Sequence, residues 1–136
     1  MADVVYRFRV AVEPADIDRQ NHVNNVAYLR IVQDAAVAHW QIIAPAEVRA
    51  AVSWVVRRHE VDYHKPAVLG DELEVRTWVG APTAATWERF TEIARAADGV
   101  TLVTARTVWV LIDATTGRPK RIDPAFAALF PKVDRT

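Results

Sequence analysis

Hydrophobic and polar residues alternate along several stretches of the chain, which is the pattern of β-strands with one buried face. In the first stretch, residues 4–12, arginines separate the apolar positions Tyr6, Phe8, Val10 and Val12. Similar patterns, rich in valine and aromatic residues, occur later in the chain. They predict four more strands, over residues 53–63, 73–79, 86–95 and 100–112.

One long segment has a different pattern and predicts a helix over residues 23–41. Asn24 or Asn25 can serve as its N-cap. Beyond Asn25 the strongly polar positions are few, namely Arg30, Gln33, Asp34, His39 and Gln41. A helix that is apolar around most of its circumference is expected to be buried on most sides.

The order of these elements indicates the fold class. A short helical turn over 46–51 follows the long helix, and Asp123-Pro124 predicts the start of a short C-terminal helix. Asp98-Gly99 predicts a type I′ hairpin turn between the last two strands. One strand, one long helix and four further strands predict an α+β protein, with one antiparallel sheet wrapped around one central helix. The length fits one domain over residues 1–136.

Composition removes several functional classes. Among 136 residues there is no cysteine, so a thiolate nucleophile, a disulfide framework and a cysteine zinc site are excluded. The one serine, Ser53, is not in a nucleophile elbow. The 17 basic and 17 acidic residues balance, which predicts no nucleic-acid or membrane partner. No signal segment or bilayer-length apolar run is present, so we expect a cytoplasmic protein.

Polar side chains concentrate in the ten residues that precede and begin the long helix: Asp16, Asp18, Gln20, Asn21, His22, Asn24 and Asn25. The first N–H groups of a helix lack internal partners and carry partial positive charge, so they stabilise a carbonyl oxygen or an anion. A carboxylate in the same loop could then act on that carbonyl, as acyl hydrolysis requires. Alternatively, the two aspartates only cap the loop and favour the helix dipole.

This loop resembles the signature of a known enzyme family. The segment DIDRQNHVNNVAYLR, residues 16–30, is similar to the Asp-x-Asp-x-x-Gly-His-Val-Asn-Asn-x-x-Tyr pattern of hotdog-fold thioesterases of the 4-hydroxybenzoyl-CoA thioesterase type. Residues 61–67 and 70–73, together with the last strand through Pro119, resemble the same family. The resemblance therefore covers nearly the whole chain and implies the hotdog fold and the hydrolysis of an acyl-CoA to a free acid and CoA.

The resemblance also implies roles for individual residues. Asp18 matches the catalytic aspartate, which attacks the thioester carbonyl or activates a water molecule for that attack. The backbone N–H of Asn25 matches the group that polarises the carbonyl, and His22 matches a histidine that is catalytic in plant acyl-ACP thioesterases. For substrate binding we consider a further set, whose basic members could meet the phosphates of CoA: Asn24, Tyr28, Gln33, Arg57, Arg58 and Lys65.

Some positions depart from the family pattern. Asn21 stands in place of the usual glycine, but asparagine also tolerates a left-handed backbone. Gln20 and Pro66 stand where the acyl-ACP branch has an asparagine and an acid, which favours CoA over a carrier protein. Asp34, further along the helix, is expected to pair with Arg30 at i, i+4; the alternative is a direct catalytic role, because Gln33 and Asp34 could approach a bound acyl chain.

The sequence therefore predicts an acyl-CoA thioesterase without a metal or an organic cofactor. His39, His59 and His64 lack the spacing of metal ligands, and His59-Glu60 is expected on an exposed strand face. A wide sheet with open edges calls for protection, and the resemblance to hotdog thioesterases implies a homodimer or homotetramer with sites at the interface between chains. The alternatives are a non-catalytic acyl-CoA-binding hotdog protein, an acyl-ACP thioesterase and, last, a hotdog dehydratase or hydratase.

Overall fold

A computed structural model describes residues 5–130, which form one antiparallel sheet and one long helix. The strands and helices, in chain order, are β1 (Tyr6–Ala11), α1 (Asn25–Ile43), α2 (Ala46–Ala51), β2 (Val52–Tyr63), β3 (Glu72–Pro82), β4 (Thr86–Arg95), β5 (Thr101–Asp113) and α3 (Pro124–Ala127). A single turn of 3₁₀ helix, Pro14–Asp16, lies in the loop after β1. The α+β class and the predicted order of elements are confirmed.

The five strands lie in the order β1-β3-β4-β5-β2, and every neighbouring pair is antiparallel. Helix α1 lies across one face of this sheet. The N-terminal half of α1 packs with β1, β3 and the neighbouring parts of β4 and β5. Its C-terminal half packs with β2 and the region around α3, through a cluster centred on Trp87, Leu111 and Phe130. The two ends of the helix therefore have different surroundings.

Helix α1 is not buried on most sides, contrary to the expectation from its composition. Its sheet-facing residues are buried, whereas Val26, Val37 and Ile42 are 69%, 50% and 66% exposed. The helix is apolar around much of its circumference, but the sheet of one chain covers only one side of it. Apolar side chains on a helix face that the chain itself leaves open are typical of a surface that another molecule contacts.

The connection between β4 and β5 is not the predicted type I′ turn. Such a turn needs positive φ at both central residues, but in the described chain only Gly99 of this pair has one, at 72°. The Asp98 carboxylate instead accepts a hydrogen bond from Val100 N at 3.1 Å, and Gly99 N donates to Arg95 O at 2.8 Å. The side chain of Asp98 therefore closes a wider turn.

Helices α2 and α3 lie where the sequence predicts them, and the Asp123 carboxylate caps α3 by accepting a hydrogen bond from Phe126 N at 2.7 Å.

No helix within residues 5–130 is long and apolar enough to cross a membrane.

Candidate active site

The loop before α1 is anchored by a buried carboxylate. Asp16 is almost completely buried, and its two oxygens accept hydrogen bonds from Arg30 Nη2 at 2.8 Å and from Glu13 N at 3.0 Å. The hydrogen bond from Arg30 lowers the pKa of Asp16 below its ordinary value. The expected pairing of Arg30 with Asp34 is wrong, because the arginine side chain turns towards the loop instead. Asp16 therefore has a structural role in holding the loop against α1.

A second carboxylate, that of Asp18, organises the tip of the loop. Its Oδ1 accepts from Gln20 N at 2.8 Å and from His22 N at 3.2 Å, and Asp18 N donates to His22 O at 2.8 Å. Asn21 has a φ of 64°, so it adopts the left-handed conformation that was expected of it in place of glycine. Both hydrogen bonds to this exposed carboxylate use Oδ1, and no residue of the described chain donates to Oδ2.

The start of α1 leaves one N–H group available. The side chain of Asn24, the N-cap, accepts from Val26 N at 2.9 Å, and its carbonyl accepts from Ala27 N at 2.9 Å. The N–H of Asn25, the first helical residue, finds no acceptor among residues 5–130. It is therefore a free donor at the positive end of a 19-residue helix.

The loop, the helix start and the end of β2 surround a cavity of about 470 Å³. It is lined by six of the nine residues predicted for the site: Asp18, His22, Asn24, Asn25, Tyr28 and Lys65. The residue with the exposed carboxylate and the residue with the free N–H group thus line the same space. This is the arrangement that acyl hydrolysis needs, with a base or nucleophile on one side and a donor for the carbonyl oxygen on the other.

The other three predicted residues lie elsewhere in this chain. Gln33 is exposed on α1, eight residues and about 12 Å along the helix from Asn25. Arg57 and Arg58 are exposed at a bulge in β2, and Arg58 pairs with Glu60 at 2.9 Å. Because Arg57 lies about 26 Å along the strand direction from Lys65, the basic residues do not form one cluster within a single chain. A role for these three residues in binding substrate stays a prediction.

Tyr28 joins the helix to the loop after β2. Its side chain is only 2% exposed, and its hydroxyl accepts a hydrogen bond from Ala67 N at 2.9 Å. Burial raises the pKa of this phenol, so the hydroxyl is neutral at pH 7. Tyr28 therefore fixes the wall of the cavity to α1, and its ring is one of the apolar groups of that wall.

Replacing Tyr28 by Phe is expected to lower the free energy of unfolding by about 1–3 kcal/mol, because the buried Ala67 N–H loses its acceptor. Urea denaturation measures the change. Tyr63→Phe is the matched control, because Tyr63 is half-exposed and its ring lies beside that of Tyr28 at 5.8 Å. Equal stability of the two variants would contradict this role for the Tyr28 hydroxyl.

The cavity also contains two residues that were not predicted for the site, Tyr63 and His64, together with Gln20 of the polar loop. The His64 ring contacts Thr104 Oγ1 at 2.9 Å. The position of Tyr63 and His64 at the end of β2 is the signal that could have identified them, because strand ends and loops carry functional side chains.

The other histidines differ from expectation. His59 faces α1 rather than solvent and contacts Thr107 Oγ1 at 3.0 Å, so its assignment to an exposed face is wrong, whereas Glu60 is exposed. Burial lowers the pKa of His59. Within residues 5–130 no three His, Asp or Glu side chains come together as a group that could hold a metal ion.

Comparison with known proteins connects this geometry to a family. The model of the thioesterase-like superfamily matches residues 12–130. A thioesterase from Thermus thermophilus, solved in complex with coenzyme A and Zn, is 29% identical with a TM-score of 0.81, and the match covers 93% of this chain and 91% of that one. No curated protein matches the chain.

Two further structures share the fold at lower identity. A 1,4-dihydroxy-2-naphthoyl-CoA thioesterase from Synechocystis is 18% identical with a TM-score of 0.80, over 93% of this chain and 95% of that one. A 12:0-ACP thioesterase from Umbellularia californica is 21% identical with a TM-score of 0.81, over 96% of this chain and 52% of that one. The predicted hotdog fold is thereby confirmed. The chain belongs to the thioesterase-like superfamily and is a thioester hydrolase.

Proposed function

We propose that this protein hydrolyses an acyl-CoA to a free acid and CoA, with Asp18 as base or nucleophile and the Asn25 N–H as the donor to the thioester carbonyl. The observation that carries the proposal is the shared cavity. It is lined by Asp18, whose exposed carboxylate has one unpartnered oxygen, and by Asn25, whose helix N–H has no acceptor among the described residues. Thiol release from acyl-CoA by the wild-type protein and by Asp18→Asn is the experiment that tests it.

Two routes use the same residues. In the first, Asp18 takes a proton from water while the water oxygen bonds to the carbonyl carbon, and the C–S bond then breaks to release CoA as a thiolate that gains a proton. In the second, the carboxylate itself attacks, CoA leaves, and water hydrolyses the resulting anhydride. In both routes negative charge develops on the carbonyl oxygen, where the Asn25 N–H stabilises it. His22 lines the cavity, and we assign to it the orienting of water or the supply of the proton.

Lys65 supports CoA as the leaving group. Lys65 is exposed and lines the cavity, within the loop that Tyr28 fixes in place. An ammonium group there attracts the phosphates of CoA. Carrier protein as the thiol partner is the second candidate, and Gln20 and Pro66 disfavour it because they replace the polar groups of the acyl-ACP branch.

Lys65→Ala is expected to raise KM for acyl-CoA about fivefold and to leave kcat close to its wild-type value, because one exposed ion pair is lost. Steady-state kinetics at low ionic strength measure the change, and added salt should reduce it. Arg7→Ala, which removes an exposed basic residue on β1 at the opposite edge of the sheet, is the control. An unchanged KM for Lys65→Ala would contradict the assignment of Lys65.

We also propose that the active form is a twofold dimer. Strand β2 has 12 residues, pairs only with β5 among the described strands, and forms one edge of the sheet. An edge of that length presents unpaired N–H and C=O groups that a second copy could pair with. Antiparallel pairing of two copies of β2 places the Val52 end of one strand beside the Tyr63 end of the other.

This pairing supports an active site built from two chains. A second, apolar cavity lies at the C-terminal half of α1, beside Trp40 and Trp54. Within one chain, Trp40 lies about 22 Å along the helix from Asn25. In the paired dimer, however, the Trp54 end of β2 comes next to the partner's Asp18 loop. Asp18 of one chain would then act on the thioester while the acyl group lies in the apolar cavity of the other chain.

A mixed-dimer experiment tests this arrangement. Val37 lies on the rim of the apolar cavity and is half-exposed, so Val37→Trp should fold and block entry. Asp18→Asn and Val37→Trp are each expected to be inactive alone. A 1:1 mixture of exchanged dimers should regain roughly a quarter of wild-type activity, because half the dimers are mixed and each carries one intact site. No recovery, or an active monomer in sedimentation, would contradict the shared site.

The remaining expectations stay predictions. Catalysis without a metal or an organic cofactor predicts full activity after dialysis against EDTA. A non-catalytic acyl-CoA-binding protein is the alternative of another class, and it predicts saturable binding without thiol release. A cytoplasmic location and the absence of nucleic-acid and membrane partners rest on the sequence.

A further inference from the structure

The apolar cavity at the C-terminal half of α1 contains a buried charge that the proposed mechanism does not use. Arg89, on β4, is only 4% exposed and lines this cavity. Both hydrogen bonds that its guanidinium makes to described residues use the same nitrogen, Nη1, which lies 3.0 Å from His39 Nδ1 and 3.1 Å from Thr77 Oγ1. The other side of the planar guanidinium fork is left for a further acceptor.

No acid of residues 5–130 compensates this charge. No described carboxylate forms an ion pair with Arg89, and burial lowers its pKa to about 10. At that value it is still a cation at pH 7. Burial together with Arg89 lowers the pKa of His39 to about 4, so this neighbour is neutral and accepts the hydrogen bond at Nδ1. Glu88 borders the cavity, but its carboxylate accepts a hydrogen bond from Arg106 at 3.0 Å instead of pairing with Arg89.

The rest of the cavity wall is aromatic. Trp40, Trp54, Trp87 and Trp109 line it, and Phe130 stands beside the guanidinium, with its ring centre 5.8 Å from Arg89 Cζ. Trp109 carries a second unused donor, because its buried Nε1–H has no acceptor among the described residues. That nitrogen has almost no accessible surface and so does not itself define a ligand contact, but because Trp109 lines the cavity its N–H resonance reports on what binds there.

The size and charge of the cavity define the ligand. Its volume is about 220 Å³, whereas an apolar cavity of roughly 150 Å³ holds benzene. Flat rings pack well against indole and phenyl faces. A purely aliphatic chain would leave the buried cation uncompensated, which is unfavourable, but a carboxylate matches the fork of an arginine. From these contacts we propose that the cavity binds an aromatic ring that carries a carboxylate, with the carboxylate on Arg89.

The assignment to a substrate rests on the proposed function. If the cavity receives the acyl group, the preferred substrate is the monothioester of an aromatic dicarboxylic acid. Its free carboxylate meets Arg89 at the inner end, and its thioester points out past the partly buried Trp40 and Trp54. Arg89 is then a specificity-determining residue, distant from the bond that is broken.

Binding of small probes tests the site without catalysis. Benzoate should bind saturably and shift the indole N–H resonance of Trp109, identified by its loss in Trp109→Phe. Benzamide, which lacks the charge, and cyclohexanecarboxylate, which lacks the flat ring, should each bind at least about tenfold more weakly. Arg89→Met should weaken benzoate binding by a similar factor, and Arg76→Met, which removes an arginine of β3 that pairs with Glu92 outside the cavity, should not.

The probe series needs no variant, so it remains decisive if Arg89→Met does not fold. Equal binding of benzoate and benzamide, or no binding of benzoate, would overturn the proposed site. A second measurement addresses the substrate. The kcat/KM for 4-carboxybenzoyl-CoA should exceed that for 4-carbamoylbenzoyl-CoA at least about tenfold. Benzoate binding without hydrolysis of any thioester would refute the proposed function but support the proposed site. Hydrolysis without benzoate binding would support the function and refute the site.

Discussion

Replacing Asp18 by Asn is expected to lower kcat by about 10³-fold or more while the fold stays intact. A base or nucleophile contributes a factor of this order, and an amide can neither take a proton nor attack a thioester. The loop should survive, because the amide oxygen can still accept the two backbone hydrogen bonds from Gln20 and His22. Thiol release measures the rate, and circular dichroism with urea denaturation measures the fold.

The chain provides two matched controls for this change. Asp34→Asn removes an exposed acid on α1, outside the cavity of Asp18, and should keep near-wild-type activity. Asp16→Asn should instead lower stability, because Asp16 is buried against Arg30. A rate within a few-fold of wild type for Asp18→Asn would rule out both routes proposed for the aspartate.

The second large effect is expected from Asn25→Pro. Proline has no N–H, but the first position of a helix tolerates it, because that N–H has no helical acceptor. The preceding residue, Asn24, has φ and ψ of −62° and 138°, which are compatible with a following proline. The helix should therefore form normally while the carbonyl loses its donor. Removal of one such donor typically lowers kcat by about 10²–10³-fold.

Asn25→Ala separates the backbone from the side chain, because alanine keeps the N–H and loses the amide. Near-wild-type kcat is expected for Asn25→Ala, in contrast to Asn25→Pro. If both variants lost activity equally, the side chain rather than the backbone would be the important group. If Asn25→Pro remained fully active with a native spectrum, another donor would polarise the carbonyl.

The local parts of the site could be predicted from the sequence because they depend on neighbouring residues. One continuous segment contains the N-cap, the left-handed Asn21 and Asp18, which precedes the start of α1 by only a few residues in the sequence. Strand positions follow from alternation, which acts at a period of two residues. These features need no knowledge of how distant parts of the chain meet.

Contacts between distant segments could not be predicted in the same way. Arg30 has an acid four residues away, yet it bonds to Asp16, which the loop brings closer in space. His59 faces the helix because β2 contains a bulge between Val56 and Arg58, which shifts the alternation. Arg89 is one of several charged residues along β4, and that pattern does not distinguish it from the others. Only the packing of β4 against α1 brings its guanidinium to His39.

The exposed side of α1 shows a different limit. Its apolar composition predicts burial, but composition cannot say whether the covering surface belongs to the same chain. Val26, Val37 and Ile42 remain exposed because they lie on the side of α1 that faces away from the sheet. The same reasoning applies to the edge of β2, whose unpaired groups call for a second copy.

The most direct test of the central claim is thiol release from a panel of aromatic, short-chain and long-chain acyl-CoAs, with wild type and Asp18→Asn side by side. The account predicts that wild type releases CoA from at least one member of the panel and that Asp18→Asn releases it at least about 10³-fold more slowly. Binding of acyl-CoA by the wild type without any release of thiol would contradict the account.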